Sequence, residues 1–235
     1  LMSNYESNAN VIPTARPRVT VKTVTSLAML TALTYVAMLL SKLLPQISGF
    51  LQMDVKDTVV CIGGFLFGPL SAAIISIVVA LVEMFTVSDT GIIGLIMNVL
   101  ATCAFCCTAS FIYKKMRTRK GAVLGLLLGT LVLTVVMVLW NYLITPIYMH
   151  MDRSVVAAML PTVFLPFNLV KGGLNTALTL VLYKPVVTAL RKAKLAPERD
   201  AAQKSGDRFD AGFLLFSLAL LVTFVLLVLV LAGKI

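Results

Sequence analysis

Long apolar runs separated by short polar stretches are the feature that most limits the folds open to this chain. The sequence has 235 residues, of which 59% are hydrophobic and 13% charged. A membrane-spanning helix needs about 20 consecutive apolar residues. Six runs are that long or nearly so, and a shorter one, 58–67, can cross only as a short or tilted helix packed among others. The runs are 24–44, 70–87, 92–113, 122–144, 164–182 and 212–232. The sequence therefore predicts an all-α integral membrane protein with six core helices and a seventh, C-terminal transmembrane helix.

The positive charge is segregated into alternate loops. The net charge of +10 could suggest nucleic-acid binding, but membrane proteins concentrate Lys and Arg in their cytoplasmic loops. The other loops carry mainly acidic residues, so the pattern favours a multi-pass protein of the cell membrane with a cytoplasmic N-terminus and no nucleic-acid partner. The clustered cations are Arg16, Arg18 and Lys22; Lys114, Lys115, Arg117, Arg119 and Lys120; and Arg191, Lys192, Lys194, Arg199, Lys204 and Arg208.

Composition divides the chain into four parts. Residues 1–22 are rich in Asn, Ser, Pro and Arg without periodicity and are predicted to be a disordered cytoplasmic tail. Residues 23–192 form the membrane domain. Residues 193–210 carry charges of both signs and are predicted to be a cytoplasmic linker. Residues 211–235 hold the seventh helix.

A polar stripe interrupts the last apolar run of the core. Asn168, Lys171 and Asn175 follow i, i+3, i+7 spacing and share one face of a helix. A buried ammonium group costs several kcal/mol unless it finds a partner or lines a wet cavity. Lys171 is therefore expected to bind a ligand or a buried carboxylate, and Glu83 is the candidate carboxylate.

Further polar residues lie at a similar depth on other helices. Glu83, Asn98, Asn141, Asn168 and Lys171 are predicted to fall in the outer half of the membrane, whereas Asn175 lies deeper and is the weaker ligand candidate. Together they suit a ligand pocket that opens to the outside. For a single intramembrane Asn, an interhelical hydrogen bond remains the more common role.

The cysteines and the motif content argue against an enzyme. Cys61, Cys103, Cys106 and Cys107 all fall in apolar runs, and packing is favoured over redox or metal chemistry. The sequence contains no HExxH, GxSxG or phosphate-binding loop. No metal and no cofactor is expected, and any ATP hydrolysis is expected on separate subunits.

Two features of the first run and the loop after it remain open. Ala28 and Ala32 are small residues four apart, which permit close helix packing. They suit either packing within the bundle or docking of another membrane subunit. The loop over residues 45–57 suits either a lid over a cavity or a passive connector.

Over residues 26–193 the chain resembles the riboflavin-specific substrate-binding (S) components of energy-coupling factor (ECF) transporters. The most specific motif is Leu165-Pro-Phe-Asn168-Leu-Val-Lys171-Gly172, followed by Leu182-Tyr-Lys184. The others are Ala28-xxx-Ala32, Leu51-Gln-Met-Asp54-Val-Lys-Asp57, Gly63-Gly-Phe-Leu-Phe-Gly-Pro-Leu70, Thr90-Gly-x-x-Gly94 with Asn98, and Trp140-Asn141-Tyr142.

The resemblance implies a six-helix protein that captures riboflavin from outside and has no enzymatic activity. It implies docking through Ala28 and Ala32 on a transmembrane coupling subunit, with two ATPase subunits supplying the energy. It also implies that Asn141, Asn168 and Lys171 hydrogen-bond the ribityl chain or the ring edge of riboflavin.

The chain departs from the family pattern in two places. Leu95 stands where relatives typically carry Glu, and Glu83 is the candidate for the missing carboxylate. The seventh helix is an addition, expected to face lipid or a partner. Two alternatives stay open: an S component for another vitamin or a flavin analogue, and a stand-alone membrane carrier.

Overall fold

The computed structural model describes residues 20–44, 46–196 and 211–234. Most of the predicted N-terminal tail and of the predicted linker lies outside these ranges. Six helical segments of the described chain are long and apolar enough to cross a membrane. The predicted membrane fold is therefore confirmed.

Each predicted run corresponds to a helical segment of the described chain. A two-stranded antiparallel hairpin of β1 (Gln46–Ile47) and β2 (Leu51–Gln52) lies between the first two helices. The helices are α1 (Val21–Ser41), α2 (Lys56–Phe67), α3 (Pro69–Thr86), α4 (Gly91–Thr102), α5 (Thr108–Met116), α6 (Arg119–Tyr148), α7 (Arg153–Met159), α8 (Leu165–Lys192) and α9 (Ala211–Leu231).

Two of the spans contain a π-helical turn. Cys103–Cys107 joins α4 to α5, and Leu160–Phe164 joins α7 to α8. The second turn contains Pro161, whose missing N–H would interrupt a regular α-helix. Because the π-helical turn accommodates Pro161, one span continues from Arg153 to Lys192, well beyond the predicted limits of 164 and 182.

Small residues let the helices of the bundle approach closely. A Cβ atom on Gly125 would lie 2.7 Å from the Ala109 carbonyl oxygen, and one on Gly129 would lie 2.7 Å from that of Phe105. These contacts hold α6 against α5 and the first π-helical turn. In contrast, Ala28 and Ala32 are exposed on α1. The small-residue pair therefore faces outward rather than into the bundle.

The hairpin segment, defined here as residues 46–55, folds back into one end of the bundle. Its turn uses the left-handed region at Ser48 and Gly49, where φ is 53° and 78°. The Gln52 side-chain amide donates to the carbonyls of Ser41 and Leu44 at 2.9 and 3.1 Å. As a result Met53 is fully buried. We call this end of the bundle the hairpin end, and the opposite end, where Arg119 and Lys192 lie, the basic end.

The cysteines lie inside the bundle or at its edge as free thiols. The Sγ atoms of Cys61 and Cys106 are 3.2 Å apart, and the Cys106 thiol donates to the Asp57 carbonyl at 3.3 Å. Among the described residues, no group of three or more His, Cys, Asp or Glu side chains could hold a metal ion. The arrangement fits helix packing.

Candidate functional site

Helix α8 brings the whole polar stripe into the interior of the bundle. Asn168 is 3% exposed, Lys171 8% and Asn175 0%. Their spacing puts them on one side of the helix, as the sequence predicted. Lys171 finds a buried carboxylate, as predicted, but not the predicted one.

The ammonium group of Lys171 pairs with Asp54, not with Glu83. Lys171 Nζ lies 2.8 Å from Asp54 Oδ2, and both side chains are nearly buried. The predicted Lys171–Glu83 pair is wrong because the hairpin segment folds inward and delivers a nearer carboxylate from what the sequence suggested was a solvated loop. Burial would raise the pKa of Asp54, but the ammonium groups of Lys171 and Lys56 bring it below its usual range.

Asn175 links this ion pair to the start of α2 by hydrogen bonds. Its side-chain amide nitrogen donates to the Asp54 carbonyl at 2.9 Å and to the Lys171 carbonyl at 3.1 Å. Its side-chain oxygen accepts from the Thr58 N–H at 3.1 Å and from the Thr58 hydroxyl at 3.0 Å. Since Asn175 uses both of its polar atoms on protein groups, its role is structural.

Glu83 takes part in a second buried ion pair on the other side of α2. Lys56 Nζ donates to Glu83 Oε2 at 2.9 Å, and the Asn98 amide donates to the same oxygen at 3.2 Å. Lys56 is 4% exposed and Glu83 7%. Helices α2, α3 and α4 therefore meet at one carboxylate.

The two ion pairs are linked by the first turn of α2 and the residues before it. Asp54 and Thr58 point toward α8, whereas Lys56 reaches α3. Asp57 accepts a hydrogen bond of 2.7 Å from the Thr102 hydroxyl on α4. A short backbone segment thus carries the groups that hold both pairs together.

The hydrogen bonds of Asn141 and Asn168 run along their own helical spans. The Asn141 amide donates to the Met137 carbonyl at 2.6 Å, and its oxygen accepts from the Thr145 hydroxyl at 2.9 Å. The Asn168 amide donates to the Phe164 carbonyl at 2.7 Å. These contacts join neither residue to the two ion pairs.

Leu95 lies on α4 one helical turn before Asn98. It is half-buried. Positions three apart on a helix are neighbours on its surface, so position 95 and the Glu83-bonded amide of Asn98 share a side of α4. A narrow gap, too small to hold a water molecule, lies beside this group, between Thr34, Lys56, Ser76 and Asn98.

Two buried acceptor atoms of the site have no hydrogen-bond partner among the described residues. They are Asp54 Oδ1 and Asp57 Oδ2. A buried acceptor without a partner is costly, so it marks a place where a ligand donor or a water can bind.

Sequence reasoning missed Asp54, Lys56, Asp57 and Thr58 as site residues. One signal was available: three charged residues within four positions precede an apolar run too short to span a membrane. Such a half-length helix must lie within the bundle, and its first turn can carry charges to membrane depth. The individual partners depend on contacts between residues far apart in the sequence.

Comparisons with known proteins agree with this architecture. A family model described as "ECF transporter, substrate-specific component" matches residues 22–183. The riboflavin transporter FmnP of Bacillus subtilis is 30% identical over 187 residues, which cover 74% of this chain and 98% of that protein. The riboflavin transporter RibU of Staphylococcus aureus is 29% identical over 178 residues, with 73% and 93% covered.

A solved structure supports the same assignment. The S component of a bacterial ECF transporter superposes with a TM-score of 0.62 at 28% sequence identity. The match covers 72% of this chain and 98% of that one. Since the family model also spans more than half of the sequence, this chain belongs to the family of substrate-specific components of ECF transporters.

Proposed function

We propose that this chain captures riboflavin at the hairpin end of the bundle and delivers it to an ECF coupling module. As an S component it is a binding subunit, not an enzyme. Two relatives, matched over 98% and 93% of their own length, are riboflavin transporters. The observation that carries the proposal is the buried Lys171–Asp54 pair, 2.8 Å long, between α8 and the hairpin segment.

The proposed ligand groups match the chemistry of riboflavin. Its ribityl hydroxyls both donate and accept hydrogen bonds, and the polar edge of its ring carries an N–H and carbonyl oxygens. Lys171, Asn168 and Asn141 supply donors and amide acceptors near the hairpin end. Asp54 Oδ1 is buried and has no partner in the described chain, so it suits a ribityl hydroxyl or the ring N–H.

We propose that the Lys56–Glu83–Asn98 group supplies the second polar wall of the same site. Glu83 takes the role that the family resemblance implies for a carboxylate at position 95, because its Oε2 atom accepts a hydrogen bond from Asn98 on the side of α4 where Leu95 lies. This arrangement keeps the carboxylate but moves it from α4 to α3.

Riboflavin cannot enter the gap beside Lys56 without movement of the protein. The gap has no room even for a water molecule, whereas pockets for ligands of drug size measure roughly 300–1,000 Å³. We propose that the hairpin segment shifts, since it carries Asp54 of the ion pair and is otherwise held by a few hydrogen bonds and apolar contacts.

We propose a cytoplasmic N-terminus, which puts the hairpin end outside the cell. The cations near the basic end support this orientation by the positive-inside rule. Ala28 and Ala32 are exposed on α1, and this face would dock on the transmembrane coupling subunit. Two ATPase subunits would complete the importer.

A second candidate is an S component for another vitamin or for a flavin analogue. Leu95 is the observation that favours it, because it puts an apolar side chain where the family resemblance implies Glu. A stand-alone carrier is the third candidate, and it differs in requiring no coupling module.

Titration of the purified protein separates these candidates. Riboflavin, FMN and thiamine are added in turn, and ligand binding is followed by flavin fluorescence quenching or by calorimetry. The proposal expects tight binding of riboflavin alone, weakened by Lys171→Ala but not by Lys42→Ala, a change at an exposed lysine of the same end. No binding of riboflavin would refute the proposal.

Transport in vesicles tests the dependence on partners. Uptake of labelled riboflavin is expected only when the coupling and ATPase subunits are present together with ATP. Uptake by this chain alone would favour the stand-alone carrier.

A further inference from the structure

Helix α9 lies outside the matched family region, yet one of its faces packs against the hairpin end of the core. The family match ends at residue 183, and α9 begins at Ala211. Val228 is 6% exposed and belongs to one buried apolar cluster with Ile47 and Met53 of the hairpin segment. A helix that faced only lipid would take no part in this cluster.

The same face of α9 rests on the turn of α8 that carries Lys171. The ring of Phe224 fills the space in front of Gly173, where a Cβ atom would lie 2.1 Å from the ring. Glycine allows this close approach between helices. Val170 and Leu174, on either side of Lys171, belong to the same apolar cluster.

The other end of α9 is fixed at the basic end of the bundle. The Arg119 guanidinium lies over the Phe213 ring, 5.9 Å from its centroid, a distance at which a cation attracts an aromatic face. Phe213 lies in the first turn of α9, and Arg119 begins α6. The helix is therefore held at both ends of the bundle.

We propose that Phe224 and Val228 are positioning residues for substrate retention, through which α9 holds the hairpin segment against α8 and slows substrate release. This inference rests on the proposed function, because it concerns release from the site at Lys171 and Asp54. Met53 directly precedes Asp54, and a flavin cannot leave unless the hairpin segment moves. Each apolar contact that this movement must break raises the barrier to release.

The test measures the rate of riboflavin dissociation from the full chain in lipid nanodiscs. Val228→Ala is expected to release riboflavin about five- to tenfold faster, the change that follows loss of one buried apolar contact. The matched control is Val225→Ala, a change at a 43% exposed valine of the same helix, which is expected to stay within about twofold of wild type. Val228→Ile keeps the apolar contact and is expected to release riboflavin as slowly as the wild type.

Gly173→Ala provides a second perturbation, because it displaces Phe224 without changing the sequence of α9. It is also expected to speed release, and the unfolding temperature of every variant is recorded. Phe213→Ala tests the far end of the helix and is expected to leave the release rate unchanged even where it lowers the unfolding temperature.

Two results would overturn the inference while leaving the proposed function intact. The first is equal release rates for Val228→Ala and Val225→Ala. The second is equal acceleration by Phe213→Ala and Val228→Ala, which would mean that α9 acts through general stability. A wild-type protein that binds no riboflavin would refute the proposed function and this inference with it.

Discussion

Replacing Lys171 with methionine tests the central ion pair of the site. The change keeps most of the side-chain length and removes the charge, so Asp54 is left buried beside an apolar chain. The two side chains are only 10% and 12% exposed, and breaking a buried pair by removing one partner costs about 3–5 kcal/mol. This cost has an upper limit, because the unpaired Asp54 can take up a proton and become neutral. Protonating an aspartate of pKa about 3.9 at pH 7 requires about 4 kcal/mol. We therefore expect Lys171→Met to lower the free energy of unfolding by about 3–4 kcal/mol.

The double variant Asp54→Asn/Lys171→Met separates stability from binding. Both charges are gone, so no uncompensated charge is buried and most of the lost stability should return. Riboflavin binding should not return, because the ammonium donor and the carboxylate acceptor are both absent. Unfolding by SDS in mixed micelles gives the free energies, and fluorescence quenching gives the affinity. Lys42→Met is the control for loss of an exposed positive charge.

Two outcomes would contradict this reasoning. If the double variant is as unstable as Lys171→Met, the pair does not act through charge compensation. If the double variant binds riboflavin like the wild type, neither residue contacts the ligand.

The same pair predicts how stability depends on pH. The pKa of Asp54 is lowered in the folded protein, so its stabilising contribution is fully present above the unfolded pKa of about 3.9. It is lost only as the pH falls through the lower folded value. The stability loss caused by Asp54→Asn should therefore be constant from pH 8 to about pH 5 when it is measured in an Asp57→Asn background, because burial and Asp54 raise the pKa of the neighbouring Asp57 carboxyl. A difference that shrinks between pH 7 and pH 5 would contradict the assigned direction of the shift.

Three further changes test other parts of the site. Glu83→Leu should weaken riboflavin binding about tenfold or more through loss of a charged hydrogen-bond acceptor, and the double variant Glu83→Leu/Leu95→Glu should recover part of it; titration shows whether the carboxylate can return to α4. Asn175→Ala should lower the unfolding free energy by about 1–3 kcal/mol, since it removes the donor to the buried Asp54 carbonyl and one of the two acceptors of the Thr58 N–H; an unchanged melting temperature would contradict this role. Ala32→Leu should reduce co-purification with the coupling subunit and leave riboflavin affinity unchanged, because its side chain is exposed on α1.

The helices and the polar stripe were accessible from sequence because both depend on local periodicity. Apolar length fixes a transmembrane helix, and i, i+3, i+7 spacing fixes which side chains share a face. Even the half-length α2 was predicted within two residues, since 58–67 became Lys56–Phe67. The start of the last core span was predicted too late, because the π-helical turn of Leu160–Phe164 lets the helical span continue through Pro161.

The partner of Lys171 was not accessible from sequence. Glu83 and Asp54 were both acidic residues near the predicted outer surface, and the choice depends on how the hairpin segment packs. That packing rests on contacts between distant parts of the chain, such as Gln52 with the end of α1 and Met53 with the cluster on α8. Sequence position favoured Glu83 as the partner of Lys171, because Glu83 lay in an apolar run whereas Asp54 lay in a loop.

The placement of charge at the start of α2 explains how one end of this bundle can be both polar and closed. Asp54 and Lys56 reach opposite sides of a single turn and meet Lys171 and Glu83. Each charge is thereby paired with a charge on another helix. The hairpin segment therefore cannot move outward unless at least one ion pair separates or α2 moves with it. A ligand with hydroxyl and amide groups can replace the polar contacts that such a movement breaks. Lipid hydrocarbon cannot, because it has no hydrogen-bonding groups. The same residues that hold this end of the bundle together therefore favour a polar ligand over lipid.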